Sequence, residues 1–480
     1  MTKKAMHASQ NLGQKKANEV QTKKASQKSD FTAKLLEKIL KRITPSEEEK
    51  KKELAVVKGI IKRISSIKGK HIKAMLCGSL ARDTHLRGEQ DFDIFVLFDK
   101  ELPRGEFEQL GLKIGIEALK GYEHWLEYSE HPYVKGIVDG YEVEIVPCYK
   151  VSKACLLKSS VDRSPFHARF IQKNIRPEQK KEVRLLKAFM KGIGCYGADI
   201  ASEGFSGYLA ELLILKYGTF LDCVKAASQW TPGLKIALNE AHLKKCKATS
   251  TLVFPDPTDP KRNVASAVSL EQFSRFVFAC KKFLERPSEK FFLGAKQKIP
   301  TQISLLLKER HVIAVCLRFE RDEAKDTVLG QMKRLKNLIS QELEKNEFKV
   351  FASSIANTDK DVYCFLELER NSLGKLAKVI GPPVFDEKNV KAFLKKHKRV
   401  VSGPRIENDR IVVVEKRKKL YAREFVNDLI LFLSKQGKEP IKSMLKKAVI
   451  LEKRGLVKRC KKPEFAHELA RFLIGRERFL

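Results

Sequence analysis

The feature that most constrains this chain is a strand-like run carrying two acids, Asp91-Phe92-Asp93-Ile94-Phe95-Val96-Leu97-Phe98. Residues i and i+2 of a strand point to one face, about 6–7 Å apart. Asp91 and Asp93 therefore present their carboxylates together. Beyond Asp93 the alternation gives way to a continuous apolar run, which suits a central strand covered on both faces. Neighbouring carboxylates resist ionising together, so something cationic must offset them. A divalent ion bridging them is the economical solution.

The neighbourhood adds to this. His71-Ile72-Lys73-Ala74-Met75-Leu76-Cys77 reads as a short strand that runs into Gly78-Ser79, and eleven residues separate that pair from Asp91. Gly78-Ser79 supplies a tight turn whose N–H groups and hydroxyl can meet a phosphate. Arg82 lies one turn further on and can neutralise phosphate charge. Tyr141-Glu142-Val143-Glu144-Ile145-Val146-Pro147 alternates as a third strand, and Glu144 is placed to add a third carboxylate. Three carboxylates can hold two Mg²⁺ ions about 3.5–4 Å apart, the arrangement of phosphoryl-transfer sites.

Charge narrows the substrate. Among 480 residues Lys plus Arg number 95 and Asp plus Glu 59, a formal net charge of +36. One-sided charge of this size predicts a polyanionic partner, with nucleic acid ahead of an acidic membrane surface. No run approaches the ~20 apolar residues of a spanning helix, and Met1–His7 lacks the apolar stretch of a secretory signal. The expected location is the cytoplasm. The ten cysteines contain no C-x-x-C pair, which removes a zinc ribbon or a redox dithiol and leaves reduced packing residues.

Residues 1–30 read as a disordered basic tail with Lys-Lys pairs at 3–4, 15–16 and 23–24. Order is expected from Phe31. Ser46 and Glu49 form a capping box that opens a helix over about 47–67. Residues 166–290 are mostly helical in pattern, with helices around Val183–Met190, Phe205–Lys216 (Ser206 as N-cap) and Leu270–Leu284. After 300, strands at Val312–Phe319, Val362–Leu368 and Arg410–Val414 surround helices at about 326–345 and 421–435. That order predicts an α+β domain of the small RNA-binding type. The basic runs Lys395–Arg399 and Lys416–Lys419 are candidates to grip phosphates or to form a solvated face.

The strand, Gly-Ser and D-h-D order resembles the nucleotidyltransferase superfamily of DNA polymerase beta. Seven ordered segments narrow the resemblance: Gly78–Thr84, His131–Val134, Val143–Tyr149, Ser164–His167, Val183–Lys187, Gly204–Leu209 and Asp259–Ala265. Together they are similar to the archaeal (class I) CCA-adding enzymes, tRNA nucleotidyltransferases. Val379-Ile380-Gly381-Pro382-Pro383 also fits. The resemblance implies template-independent addition of C, C and A to tRNA 3′ ends from CTP and ATP. It implies Asp91, Asp93 and Glu144 as Mg²⁺ ligands and catalytic acids. It places Ser79, Arg82, His167, Lys187 and Tyr196 around the triphosphate, and Arg262 and Asn263 near the incoming base. The family carries Glu-x-Asp and a third Asp where this chain has Asp91, Asp93 and Glu144, so the reach of the acids differs by a methylene.

Without the resemblance these positions have plainer readings. His167 reads as a satisfied histidine, Lys187 as part of a solvated basic face with Arg184 and Lys191, and Tyr196 as a packed loop ring. Arg262 and Asn263 follow Asp256-Pro257-Thr258-Asp259-Pro260, an exposed turn signal. The expected architecture is α+β: a polymerase-beta-like nucleotidyltransferase head with a mixed sheet at 31–160, a helical central domain completing the nucleotide pocket at 161–290, and an α+β tRNA-binding body and tail at 291–480. The expected partners are tRNA, CTP and ATP, with no membrane. A homodimer is left open beside a monomer. Rival readings are a poly(A) polymerase or other terminal RNA nucleotidyltransferase, and a non-catalytic RNA-binding protein.

Overall fold

The computed structural model describes residues 28–480 apart from 68–71, 90, 100–101, 129, 153–156, 295–302, 319–324, 359, 438, 440 and 478. The expected basic tail lies outside the described residues except for 28–30, which already belong to helix α1 (28–43). Two compact units form: Met1–Gln297 with Glu477–Leu480, and Lys298–Arg476. Among the described residues no helix is long and apolar enough to cross a membrane.

The first unit opens with α1 and then α2 (Glu47–Ser65). Ser46 Oγ accepts from Glu49 N at 3.2 Å and Glu49 Oε2 accepts from Ser46 N at 2.5 Å, so the capping box forms as its sequence requires. Next come β1 (Ile72–Leu76), the single turn α3 (Gly78–Ala81), β2 (Asp91–Phe98) and α4 (Arg104–Ala118). A hairpin of β3 (Glu123–Tyr128) and β4 (Pro132–Val138) leads to β5 (Tyr141–Tyr149). β4 alternates in burial, but apolar Tyr133 and Ile137 take its outward positions and Gly136 an inward one, so the sequence does not announce it.

These strands form one mixed sheet ordered β1-β2-β5-β4-β3, in which β2 and β5 are parallel. Phe92, Ile94, Val96 and Phe98 point to one face and pack with Val57, Ile60 and Ile64 of α2 and Phe107 and Ile114 of α4. Phe95 and Leu97 point the other way and are covered with Cys77, Cys148 and Ala168. Cover on both faces explains the continuous apolar run after Asp93.

Helices then dominate: α5 (Ser164–Asn174), α6 (Pro177–Ile193), α7 (Gly207–Tyr217) and α8 (Phe220–Ala227). A two-stranded parallel pair, β6 (Leu234–Lys235) with β7 (Leu252–Val253), precedes α9 (Leu270–Glu285) and α10 (Lys290–Leu293). Ser206 caps α7 by accepting from Leu209 N at 3.1 Å. These helices bury an aromatic core of Phe189, Phe220, Phe276 and Phe283. The end of the chain returns to it. Phe479 is 5% exposed and stacks on Phe291 with ring centroids 5.5 Å apart, and Arg275 Nε donates to Glu477 Oε2 at 2.9 Å.

The second unit begins with α11 (Ile303–Leu306), β8 (His311–Arg318) and α12 (Lys325–Lys345), then β9 (Val350–Asn357) and β10 (Asp361–Leu368). It continues through β11 (Leu376–Pro383), α13 (Glu387–Lys396), β12 (Ser402–Glu407), β13 (Arg410–Lys416), α14 (Ala422–Gln436), α15 (Ile441–Lys446), β14 (Val449–Glu452), α16 (Lys453–Arg459) and α17 (Pro463–Ile474). The sheet β14-β8-β10-β9 is sandwiched. Ile313, Val315 and Leu317 face Met332 and Ile339 of α12, while Val312, Ala314 and Cys316 face Phe465 and Leu469 of α17. The two basic runs meet here: Lys395–Arg399 and Lys416 and Lys418 line one concavity with Val401 and Glu415.

Among the described residues eight cysteines are buried and unpaired, as packing residues should be, and Cys460 is partly exposed and unpaired; Cys155 lies outside the described residues.

Candidate active site

The parallel pairing of β2 and β5 sets Asp91 opposite Glu142 and Asp93 opposite Glu144. All four carboxylates share the sheet face away from α2 and α4. β4 sets Lys135 opposite Glu144 on the same face. Lys135 Nζ lies 2.7 Å from Glu142 Oε2 and 3.1 Å from Glu144 Oε1. The sequence reading missed Glu142 and Lys135. The period-2 spacing of Glu142 and Glu144 was the available signal, whereas Lys135 needed the register of the hairpin.

The electrostatics are those of acids pressed together. The Asp93 carboxyl is pushed up to about 7, by burial first and then by Glu144. Glu144 and Asp91 also lie above the usual carboxylate range, through burial in both cases, with a hydrogen bond to Glu142 adding to the shift at Asp91. Glu142 is held down chiefly by its hydrogen bond to Lys135. Gly78 is required beside this group. Its φ is +65°, and a Cβ there would come within 1.9 Å of Asp93 Oδ2.

Among the described residues, no three His, Cys, Asp or Glu side chains already surround one point closely enough for an ion. The donors nevertheless fit a hard divalent cation: carboxylates only, on one face, with values raised by burial and mutual repulsion. Glu144 meets Lys135 through Oε1.

A raised carboxyl value has a stability consequence. The protonated form of Asp93 is favoured in the fold, so its contribution is complete below about pH 4 and is lost as pH rises through about 7. In EDTA, the melting temperature of wild type relative to Asp93→Asn should fall between pH 5 and pH 8, reflecting on the order of a few kcal/mol. Thermal melts across that range check it, and a difference that does not move with pH would count against the buried, repelled carboxyl.

Beside the acids lies a buried basic cluster organised by a carboxylate absent from the expected set. Glu211 of α7 is fully buried. Its Oε1 accepts from Arg82 Nε at 2.9 Å and from Thr84 Oγ1 at 2.5 Å, with Lys187 Nζ at 3.6 Å. Among the described residues its buried Oε2 finds no hydrogen-bond partner. Lys187 Nζ donates to Thr84 O at 3.1 Å and Thr84 Oγ1 at 3.2 Å. Burial pulls the Lys187 ammonium below its ordinary value. Burial also pushes Glu211 upward, but Arg82 and Lys187 outweigh it and hold the carboxylate down.

The solvated basic face therefore fits Lys191, whose side chain is 42% exposed, but not the buried Arg184 and Lys187. Arg184 Nη2 reaches Asp83 Oδ1 at 2.5 Å, Lys187 reaches Thr84, and Lys191 Nζ reaches Glu89 Oε1 at 2.6 Å. The helix grips the 82–89 loop. Tyr196 sits at this end of the helix, with the Lys191 ammonium 5.1 Å from its ring centroid and its hydroxyl 2.7 Å from where a Cβ on Gly207 would stand. Ser79 is half-buried, and its carbonyl accepts from Arg82 N and Thr84 N.

A second buried carboxylate, Asp256, organises the other candidates. Its Oδ2 meets His167 Nε2 at 2.8 Å and Arg262 Nη1 at 3.0 Å. Its Oδ1 accepts from Thr258 N at 2.9 Å and from Tyr208 Oη at 3.3 Å. The His167 ring stacks on Tyr208, with centroids 3.8 Å apart. Burial lowers the His167 value despite Asp256. Asn263 requires a correction. Its Oδ1 accepts from Phe254 N and Ala265 N, and its Nδ2 donates to Ser250 Oγ and Leu252 O. At 6% exposure its amide is spent inside the turn and has nothing left for a base. Arg262, with 32% of its side chain exposed, remains available.

The structure thus joins Arg82, Lys187 and Tyr196 in one place and His167 and Arg262 in another, with the Arg82 charge acting on both Asp93 and His167.

Known proteins match most of this chain. Residues 57–176 match the nucleotidyltransferase domain, 181–293 the second domain of tRNA nucleotidyltransferase, and 310–452 the C-terminal domain of the CCA-adding enzyme. The CCA-adding enzyme of Methanocaldococcus jannaschii is 39% identical over 381 residues, 76% of this chain and 84% of that protein. That of Archaeoglobus fulgidus is 37% identical over 80% of this chain and 86% of its own length. That of Methanosarcina mazei is 35% identical over 86% and 92%. With the acid-bearing sheet, the helical second domain and the C-terminal domain all accounted for, the chain belongs to the CCA-adding enzyme family of tRNA nucleotidyltransferases.

Proposed function

We propose that the protein adds C, C and A in turn to the 3′ end of tRNA, from CTP and ATP and without a nucleic-acid template. The observation that carries the reading is the acid face beside a pre-paired basic pocket, Asp91, Asp93 and Glu144 next to Arg82 and Lys187. Mg²⁺ held by the three acids would activate the tRNA 3′ hydroxyl and stabilise the leaving pyrophosphate. Arg82 and Lys187, with one Glu211 between them, keep a net positive charge for the triphosphate. Ser79, His167 and Tyr196 complete that pocket. Residues 31–160 act as catalytic head, 161–290 close the nucleotide pocket and 291–480 hold the tRNA. The reading places the enzyme in the cytoplasm, as a monomer or a homodimer.

The test offers labelled CTP and ATP separately to tRNAs ending at N73, C74 and C75, with Mg²⁺ or EDTA and with an oligo(A) primer as rival substrate. C on the first two tRNAs and A on the third is the expected pattern. Addition to the primer alone would identify a poly(A) polymerase, and no incorporation a non-catalytic RNA-binding protein.

Base choice falls to Arg262. CTP and ATP both present an amino donor beside a ring-nitrogen acceptor, and a buried group left unpaired by UTP or GTP costs about 1–3 kcal/mol. Arg262→Ala should lower the CTP-over-UTP ratio of kcat/KM on tRNA ending at N73 by roughly 10-fold or more. Asn263→Ala should instead lower stability, since Asn263 supports the turn. An unchanged ratio in Arg262→Ala would return that residue to the turn.

The grip on tRNA should be mainly electrostatic, given the net charge of +36. The logarithm of the binding constant should fall with log[salt] by roughly 0.7–0.9 per phosphate contact. Filter binding from low to high salt measures the slope, and salt-independent affinity would contradict it.

A further inference from the structure

The acid face carries its own cation. Asp93 on β2, Glu144 on β5 and Lys135 on β4 lie opposite one another in consecutive strands, a single row of acid, acid and base. Adjacent strands stand about 4.8 Å apart, so Glu144, in the middle, has a choice of neighbours. In the structure it has chosen the ammonium: Lys135 Nζ is 3.1 Å from Glu144 Oε1 and 2.7 Å from Glu142 Oε2. The pair is largely shielded from water, with 18% of the Lys135 side chain and 21% of Glu144 exposed. Among the described residues, the three acids do not already surround a common point.

We propose that Lys135 is a positioning residue that holds Glu144 in the metal-free head and competes with a divalent cation for it, so that Lys135 sets the affinity of the site for that ion. The inference rests on Asp91, Asp93 and Glu144 being the metal ligands. Its consequence is an exchange of partners: when the ion arrives, Glu144 turns from Lys135 towards Asp93, while Glu142 keeps the ammonium. The site is then never a bare cluster of carboxylates, and cation binding is weakened by the contact that must be broken.

The experiment is Mn²⁺ binding to the full chain without nucleotide, followed by electron paramagnetic resonance of free Mn²⁺, with Asp93→Asn marking the site-specific fraction. Lys135→Met should tighten that fraction by on the order of tenfold, and Lys135→Arg should leave it near wild type. In EDTA, Lys135→Met should melt below wild type, and saturating Mn²⁺ should remove most of that difference. Unchanged or weaker Mn²⁺ binding in Lys135→Met would overturn the proposal while leaving the metal ligands standing. So would a melting loss that Mn²⁺ does not repair, which marks a packing role. Absence of any Asp93-dependent Mn²⁺ binding in wild type would overturn both the proposal and the ligand assignment.

Discussion

Asp93→Asn should slow nucleotide addition by at least about 10²–10³-fold while leaving tRNA binding within a few-fold of wild type. Asp91→Asn and Glu144→Gln should behave alike. On the proposed reading the acids act on charge that develops in the transition state, and the tRNA is held largely by contacts elsewhere on a strongly basic chain. The asparagine keeps the volume and removes the charge, so the sheet face stays packed. Single-turnover incorporation of labelled CTP on tRNA ending at N73, paired with filter binding, separates the two effects. A rate near wild type in any of the three would remove that residue from the site.

The second large effect belongs to Glu211. Its single oxygen Oε1 serves Arg82 and Thr84 directly and faces Lys187, and all of these groups are buried or nearly so. Removing one partner of a buried ionic cluster leaves the others uncompensated, at a cost of about 3–5 kcal/mol. Glu211→Ala should therefore destabilise the first unit by that order, and denaturant unfolding measures it. Glu211→Gln keeps the shape and one acceptor. It should retain the fold, lose less stability and raise KM for CTP and ATP more than it lowers kcat, because Arg82 and Lys187 lose the group that orients them. A Glu211→Gln enzyme with wild-type KM would show that the carboxylate serves the fold alone.

Local rules carried the sequence reading far. The capping box at Ser46 and Glu49, the N-cap at Ser206 and the doubly covered strand after Asp93 each depend on residues within a few positions of one another, and each is found in the structure. The Asp91 and Asp93 pair is legible for the same reason. What local rules could not give was pairing at a distance. Lys187 looks like one cation on a wet helix face until Thr84, 103 residues away, and Glu211 close against its head. Asn263 looks like an exposed turn residue or a base reader. Its burial depends on Ser250, Leu252 and Phe254 arriving around its amide. Asp256 was visible only as part of a Pro-rich turn, although it gathers His167, Tyr208 and Arg262.

The return of Glu477 and Phe479 to the first unit bears on how the chain is made. Phe479 fills a place against Phe291 and Phe278, and Glu477 answers Arg275, yet both residues follow the whole of the second unit in the chain. At about 5–20 residues per second, a ribosome that has released residue 297 needs roughly 10–40 s more to deliver them. During that interval the aromatic core waits with one ring missing, and the Arg275 guanidinium is held by Gln272 and Glu271 alone. The portion that emerges first is thus the portion completed last, and a nascent chain stalled within the second unit exposes an apolar notch that a chaperone can recognise.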